Sequence, residues 1–346
     1  MTPQSPSIPL SVLDLAPIKQ GATTRDALEE SLDLAKHAER LGYHRFWVAE
    51  HHNMVGVASS ATSVLIGYLA GGTSTIRIGA GGIMLPNHSP LVIAEQFGTL
   101  ETLYPGRIDL GVGRAPGSDA YAARALRRDP RSGDEFPQDV QELQILLGPS
   151  QPNQVVHAVP GVNTNVPIYI LGSSMFGAQL AALLGLPYAF ASHFAPDMLV
   201  DAVTYYRENF QPSAQLQQPY VIAGFNVLAA ETDERAQYLF SSSLLRFADL
   251  RKPGGSQLKQ PVADISQVMS APELEMANRM MRYSAVGSPS TVKKGVEEFA
   301  KLAQADELIV VTNTWDHADV VRSYEILAEV AGLRQERVPS GDTQNG

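Results

Sequence analysis

The strongest constraint on the fold is an alternation of short apolar segments with longer amphipathic segments, which recurs eight times along the chain. Short apolar runs that end in glycine or a charged residue are typical of buried strands, and apolar residues spaced three to four apart are typical of helices. Strand and helix in alternation predict a parallel sheet with helices outside it, and eight units favour closure into a (β/α)8 barrel. The predicted strands are 8–15, 45–50, 76–85, 108–112, 167–171, 188–191, 220–230 and 307–311.

Two irregular stretches interrupt the alternation and predict insertions after strands four and seven. The first, 115–166, begins with a long loop and contains a short possible strand at Val155–Val159. The second, 251–284, opens with a glycine-rich segment that is typical of a mobile loop, and a helical piece follows at 273–282. We expect one domain over 1–333 and a flexible tail at 334–346. The predicted main helices are 24–41, 60–70, 89–104, 139–147, 175–184, 195–210, 233–250, 289–303 and 316–330.

Composition excludes several classes of protein. The 346 residues carry 26 basic and 36 acidic side chains, a net charge of −10, and an acidic surface disfavours nucleic-acid binding. Cysteine is absent, so disulfides and thiolate chemistry are ruled out. The first residues lack the features of a signal peptide, and no apolar run is long enough to span a membrane. We therefore expect a soluble cytoplasmic protein with no membrane contact.

Chemically active residues follow three successive predicted strands. Glu50, His51 and His52 end strand two, the glycine-rich segment 79–82 lies in strand three, and Arg114 follows strand four. A (β/α)8 barrel builds its active site at the carboxyl ends of its strands, so these residues are predicted to meet at one end. Histidine can transfer a proton near neutral pH, although both histidines could equally be structural residues at a strand end.

A metal site is the alternative reading of Glu50, His51 and His52. Neighbouring residues on a strand point to opposite faces, so the two imidazoles are poorly placed to share one ion. We predict no metal. No glycine-rich dinucleotide fingerprint follows strand one, so a Rossmann cofactor site also lacks support.

Several motifs together resemble the bacterial-luciferase-like flavin-dependent monooxygenases, and most closely their FMN-dependent group 1 oxidoreductases. The resemblance covers about residues 8–333. It implies a TIM barrel, in agreement with the alternation of strands and helices. The motifs that carry the resemblance are 13–17, 50–52, 79–86, 104–107, 111–114, 171–174 and 191–196.

The resemblance also implies roles for individual residues. His51 corresponds to a histidine that lies beside the flavin in the luciferases, as an acid/base group or hydrogen-bond donor, with Glu50 orienting it. Gly81 and Gly82 correspond to a pair joined by a cis peptide under the flavin ring, although glycines here could also form an ordinary bulge. Further candidates for the substrate or flavin-edge pocket follow strands two, three, six and eight, although each could instead be a residue with only local structural hydrogen bonds. They are His52, Asn87, His88, His193 and Trp315.

The flavin phosphate is expected at Arg114 and at a helix start formed by Ser173, Ser174 and Met175. Serine hydroxyls, backbone N–H groups and a guanidinium form a suitable anion site. Ser174 could instead act simply as the N-cap of the helix. The luciferases carry a threonine three residues beyond the serine, where this chain has Gly177, so the two serines would carry more of the binding.

The function implied by the resemblance is oxygenation of a small organic substrate by reduced FMN, as a co-substrate, and O2. A separate flavin reductase is the implied partner, and a homodimer is the implied assembly. Two alternatives remain open on the same barrel. One is an F420-dependent oxidoreductase that transfers hydride, and the other is a catalytically silent flavin-binding accessory subunit. The substrate cannot be deduced from the sequence.

Overall fold

A computed structural model describes residues 8–115, 119–128, 132–249 and 255–333. Within these ranges, eight parallel strands pair side by side and close into a ring, because the last strand pairs with the first. This confirms the predicted (β/α)8 TIM barrel. The strands are β1 (Leu10–Asp14), β2 (Arg45–Val48), β3 (Arg77–Met84), β4 (Ile108–Gly113), β5 (Ile168–Gly172), β6 (Tyr188–Phe190), β7 (Val221–Ala229), β8 (Ser284–Gly287) and β9 (Glu307–Val311).

One short strand, β8, lies outside the ring and was not predicted. It pairs with Asn226–Ala229, the far end of β7, whose first residues pair with β6 and β9 inside the barrel. The predicted eighth strand of the barrel is therefore β9. With four residues, β8 is too short to show a periodicity of its own.

Helices connect the strands on the outside of the ring. The first is held by a capping box in which Thr23 and Asp26 bond each other's backbone, and it ends at Gly42, which has a left-handed conformation (φ 83°). The helices are α1 (Thr24–Leu41), α2 (Thr62–Gly71), α3 (Pro90–Leu103), α4 (Ala120–Ala125), α5 (Phe136–Leu147), α6 (Met175–Leu184), α7 (Leu199–Asn209), α8 (Asp233–Asp249), α9 (Ala271–Met280), α10 (Pro289–Leu302) and α11 (His317–Ala331).

The structure corrects two features of the first irregular stretch. The possible strand at Val155–Val159 is not formed, and Val155 and Val159 are 91% and 73% exposed, so apolar residues here have no sheet to pack against. The loop expected over 115–137 contains α4, whose N-cap Asp119 accepts a hydrogen bond from the Ala122 amide at 2.8 Å. The expected tail at 334–346 and part of the glycine-rich segment at 253–256 lie outside the described residues, and the single domain stays a prediction.

The barrel interior has a polar end and an apolar end. At the amino ends of the strands, Arg45 bonds Glu307 at 2.8 and 2.9 Å and Asp109 at 2.8 Å, and all three side chains are buried. Above this network, inward-facing Leu13, Trp47 and other apolar residues form a small cluster. Burial lowers the pKa of Arg45, but the charges of Glu307 and Asp109 outweigh it and raise that pKa overall. Charge is thus compensated at this end of the barrel.

In the part of the chain that the structure describes, no helix combines the length and the apolar character needed to cross a bilayer.

Candidate active site

A cavity of about 420 Å³ opens at the carboxyl ends of the barrel strands. Its walls are mostly apolar, and its volume suits a small organic ligand. Some of the predicted site residues line it and others do not. Those that line it are His51, Gly81, Arg114, Ser173, Ser174 and His193. Those that do not are Glu50, His52, Gly82, Asn87, Met175 and Trp315.

His51 follows β2 and presents its ring to the cavity. Its backbone is fixed on both sides, because its amide donates to the Ser59 carbonyl at 3.1 Å and its carbonyl accepts from the Ser60 hydroxyl at 2.7 Å. Its Nδ1 is buried without a hydrogen-bond partner among the described residues. Burial lowers the pKa of His51 to about 4, with a smaller contribution from the charge of Arg246. The imidazole is therefore neutral near pH 7, and no hydrogen bond with a described residue holds its ring.

His193 follows β6 and is a second histidine of the cavity wall whose ring forms no hydrogen bond with a described residue. Its Nδ1 is also buried without a partner among the described residues, and burial, followed by His51, lowers its pKa to about 4. The ring lies so close to Gly224 of β7 that a Cβ there would be 2.3 Å from Nδ1. The Asn226 side chain holds the backbone by donating to the His193 carbonyl at 2.7 Å. Two neutral histidines thus line one apolar cavity.

Arg246 of α8 lines the same cavity and was missed by the sequence reasoning. It is 7% exposed, and its Nη1 is buried without a hydrogen-bond partner in the described ranges. Burial lowers the pKa of Arg246 to about 10, so it stays cationic near pH 7. The signal that could have found it is a lone charged residue inside the otherwise uncharged helical run 236–248.

The residues expected to bind phosphate lie together on one side of the cavity. Arg114 directly follows β4, and its guanidinium lies 4.0 Å from the centre of the Phe176 ring of α6. Ser174 occupies the N-cap position of α6, but its hydroxyl makes no capping bond, so the simple capping role is not realised. No hydrogen bond of the Ser173 or Ser174 hydroxyl to any described residue is present, so both are available to a ligand. The Met175 side chain packs against the main core instead.

The two glycines at the end of β3 differ in what surrounds them. The Gly81–Gly82 peptide bond is cis, which confirms the predicted isomer. A Cβ on Gly81 would lie 2.8 Å from the end of the Leu13 side chain at the cavity floor. A Cβ on Gly82 would lie 2.7 Å from the Gly111 carbonyl oxygen of β4. Gly82 therefore belongs to the wall between two strands, and Gly81 faces the cavity.

Glu50 is buried beside the cavity, where it organises a separate polar cluster. Its Oε1 accepts from Nε2 of His52 at 2.8 Å and of His88 at 2.9 Å, and its Oε2 accepts from the Met84 amide at 3.1 Å. Burial alone would raise the pKa of Glu50, but the bonds from His88, His52 and Met84 lower it. Asn87 also donates to this carboxylate at 3.4 Å. His52 and Asn87 are thus bound to Glu50 rather than to the cavity.

This cluster also bears on the metal alternative. Potential ligand atoms of Glu50, His52 and His88 lie within 4.8 Å of one another, whereas the sequence reasoning weighed His51 as the third member. His51 and His52 do point to different places, as expected for neighbours after a strand. In the described conformation both Nε2 atoms are directed at one carboxylate oxygen, which satisfies the histidines without an ion.

Trp315 lies away from the cavity. It follows β9, but its indole Nε1 donates to the Gln20 carbonyl at 3.3 Å, and Lys19 lies 5.7 Å from the ring centre. The ring thus packs between the loop after β1 and the start of α11, outside the barrel mouth, and its expected role in the substrate pocket is not supported by its position.

Comparisons with known proteins agree with this architecture. A family model described as luciferase-like monooxygenase matches residues 8–305. A luciferase-like monooxygenase of Escherichia coli (strain K12) is 51% identical over 326 residues, which cover 94% of this chain and 97% of that protein. An N-acetyl-S-alkylcysteine monooxygenase of Bacillus subtilis (strain 168) is 31% identical over 332 residues, which cover 93% and 98%.

Solved structures share the fold. The structure of apo-MsnO8 matches with a TM-score of 0.88 and 36% identity, and covers 95% of this chain and 100% of that chain. The oxygenating constituent of 3,6-diketocamphane monooxygenase of Pseudomonas putida, in complex with FMN, has a TM-score of 0.71 at 16% identity, with coverage of 94% and 98%. An F420-dependent secondary alcohol dehydrogenase has a TM-score of 0.67 at 17% identity, with coverage of 94% and 99%. At this identity the last two show the fold alone.

Proposed function

Because the chain belongs to the luciferase-like monooxygenase family, we propose that it uses reduced FMN and O2 to oxygenate a small organic substrate. The single observation that carries this proposal is the cavity. One apolar space is bordered by an anion-binding group, by a glycine at its floor and by two neutral histidines. One relative is a monooxygenase of N-acetyl-S-alkylcysteine, which agrees with a small organic substrate.

The residues present fit FMN. Arg114, Ser173 and Ser174 would hold the phosphate, because a guanidinium and two free hydroxyls meet there at the amino end of α6. The floor at Gly81 lacks a Cβ, so a flat ring can approach the backbone. When bound, reduced FMN supplies the two electrons that let one oxygen atom of O2 enter the substrate while the other leaves as water.

His51 and His193 would act as neutral hydrogen-bonding groups. Since burial lowers the pKa of each to about 4, neither carries a positive charge near pH 7. A neutral imidazole donates at one nitrogen and accepts at the other, so His51 would hold or accept a proton through the ring nitrogen other than the enclosed Nδ1. The apolar walls exclude water, which strengthens such hydrogen bonds.

Glu50 is better described as a positioning residue than as a catalytic one. Its carboxylate is enclosed by His52, His88 and the Met84 amide and does not line the cavity. By accepting a hydrogen bond from the Met84 amide, Glu50 connects the end of β3 to the segment after β2. It would thereby help to position the cavity floor at Gly81 relative to His51. The expected orienting role of Glu50 therefore remains part of the proposal, with His52 and His88 rather than His51 as the side chains that it contacts.

A flavin reductase as partner and a homodimer as assembly are part of the proposal. Apolar side chains are exposed on the two helices that follow β2 and β3, which supports a dimer through this face. On α2, Val64 and Tyr68 are 72% and 45% exposed, and on α3 Val92 is 43% exposed. Equilibrium sedimentation would test the assembly, and a monomer at micromolar concentration would remove this part of the proposal.

The cofactor test is a titration of the purified protein, followed by fluorescence, with oxidised FMN, anaerobically reduced FMN and F420. We expect reduced FMN to bind, and to support O2 uptake when a reductase regenerates it. Preferential binding of F420, the cofactor of one solved structure with this fold, would change the reaction to hydride transfer. Binding of none of the three would contradict the proposal and favour an accessory subunit.

A further inference from the structure

Arg246 is a buried cation without a counter-ion in the described chain. It is 7% exposed, and none of its nitrogens forms a hydrogen bond or an ion pair with a described residue, Nη1 being buried outright. A buried charge without partners is costly, and in proteins such groups are normally paired or hydrogen-bonded. The contrast is Arg45, equally buried, which has Glu307 and Asp109 as partners. Among the described residues, no partner offsets the cost of burying the charge of Arg246.

The acid that acts electrostatically on Arg246 does not satisfy it. That acid is Asp14, at the end of β1. Its carboxylate is occupied, because Oδ2 accepts from the Ser31 hydroxyl at 2.5 Å and Oδ1 accepts from the Ala16 amide at 3.0 Å. Asp14 and Arg246 are not within ion-pair distance. The guanidinium therefore borders the cavity with its charge available.

Arg246 also lies on the opposite side of the cavity from the proposed phosphate site. Arg114 follows β4, and in the closed ring β4 stands opposite β9. One turn before Arg246, the Ser243 hydroxyl donates to the carbonyl of Asn313, just after β9, which fixes α8 over that side of the mouth. The charge of Arg246 also acts on His51, at the end of β2. A phosphate held at Arg114 would leave Arg246 for a different anionic group.

The surroundings of Arg246 define the rest of that ligand. The other residues that line the cavity are mostly apolar, and they include Leu13, Leu15 and Phe247. An apolar cavity with one guanidinium group is suited to a molecule that has an apolar body and one compact anionic end.

We propose that Arg246 recognises the substrate through a carboxylate, held by the guanidinium fork, while the apolar body of the substrate extends towards His51 and His193. This inference rests on the proposed function in one respect, namely that the bound acid is the molecule that is oxygenated. It assigns the substrate to the class of small, mainly apolar carboxylic acids.

The test compares two probes that differ in charge, octanoate and octanamide, by titration calorimetry near neutral pH. Wild-type protein should bind octanoate about tenfold or more tightly than octanamide, the scale of a charge-assisted hydrogen bond in a desolvated site. Arg246→Leu should remove this preference and leave octanamide binding in place. Arg246→Lys keeps the charge without the fork and should retain part of the preference.

A matched control lies on the same helix. Arg235 of α8 is exposed and paired with Asp319, so Arg235→Leu removes the same charge away from the cavity and should keep the full preference. The inference is overturned if wild-type protein fails to bind octanoate, if it binds both probes equally, as a merely hydrated arginine would, or if Arg246→Leu keeps the preference.

Flavin titrations of the same variants separate this inference from the proposed function. Arg246→Leu should bind FMN like wild-type protein, and a large loss of FMN affinity would place Arg246 in the flavin site and refute its assignment to the substrate. If wild-type protein binds no flavin but selects octanoate through Arg246, the anion site stands and the monooxygenase proposal fails.

Discussion

The buried histidines predict a specific dependence of stability on pH. Burial lowers the pKa of His51 in the native protein to about 4, whereas a histidine in the unfolded chain has a pKa of about 6.5. As the pH falls below about 6.5, the unfolded chain takes up a proton at this position and the native protein does not. The contribution of His51 to the stability of the native protein is thus complete above about pH 6.5 and is lost progressively as the pH falls towards 4.

The magnitude follows from the width of this window. One pH unit between the two pKa values corresponds to about 1.4 kcal/mol, and pH 5 lies about 1.5 units below the pKa of the unfolded histidine. When the pH is lowered from about 7.5 to 5, His51 should therefore reduce the free energy of unfolding by about 2 kcal/mol. His193, whose pKa burial also lowers to about 4, should cost a similar amount.

Urea denaturation at these two pH values measures the effect. His51→Asn should lose about 2 kcal/mol less stability than wild-type protein on acidification, because its side chain cannot take up the proton. His157→Asn is the matched control, since it removes an imidazole that is exposed to solvent. The reasoning is refuted if His51→Asn keeps the full dependence of the wild type, or if the control shows the same reduction.

Four further substitutions test the site. Arg114→Ala should weaken FMN binding by about 1.5–3 kcal/mol, and unchanged affinity in a fluorescence titration would remove Arg114 from the phosphate site. Gly82→Val should lower the melting temperature markedly, because the added Cβ meets the Gly111 carbonyl of β4. Gly81→Ala should keep the fold and lose flavin affinity. The reverse pattern would contradict the assignment of Gly82 to the wall between strands and of Gly81 to the cavity. Gly224→Ala should displace the His193 ring, seen as a shift of its imidazole NMR signals with the fold retained.

Several residues that follow strands could be placed from the sequence. The direction of a strand fixes the end of the barrel at which the next residues lie, so His51 after β2 and Arg114 after β4 are predicted at the barrel mouth, and both line the cavity. The same argument fails where the chain turns away from the barrel axis after its strand. The turn Leu85–Asn87 diverts the chain after β3, and Trp315 stands four residues beyond β9, where the pleat no longer determines direction.

Other features depend on contacts that have no local signature. Arg246 reaches the cavity because α8 leans over the mouth, held by bonds such as that from Ser243 to Asn313, and these residues are 70 positions apart. The spacing of residues in α8 does not indicate the contact between Ser243 and Asn313. The exclusion of Gly82 from the cavity likewise depends on the close approach of β4, which a glycine-rich strand allows but does not specify.

The two ends of this barrel follow one physical rule with opposite outcomes. A buried charge must be compensated, and at the amino ends of the strands Arg45, Glu307 and Asp109 compensate one another within the chain. At the carboxyl ends, no described residue pairs with Arg246, and Nδ1 of each of two neutral histidines has no hydrogen-bond partner among the described residues. If the protein needed only to fold, apolar residues would serve better at these three positions. On the proposal above, an anionic ligand would supply the partner that Arg246 lacks, and this difference in charge compensation would distinguish the binding end of the barrel from the structural end.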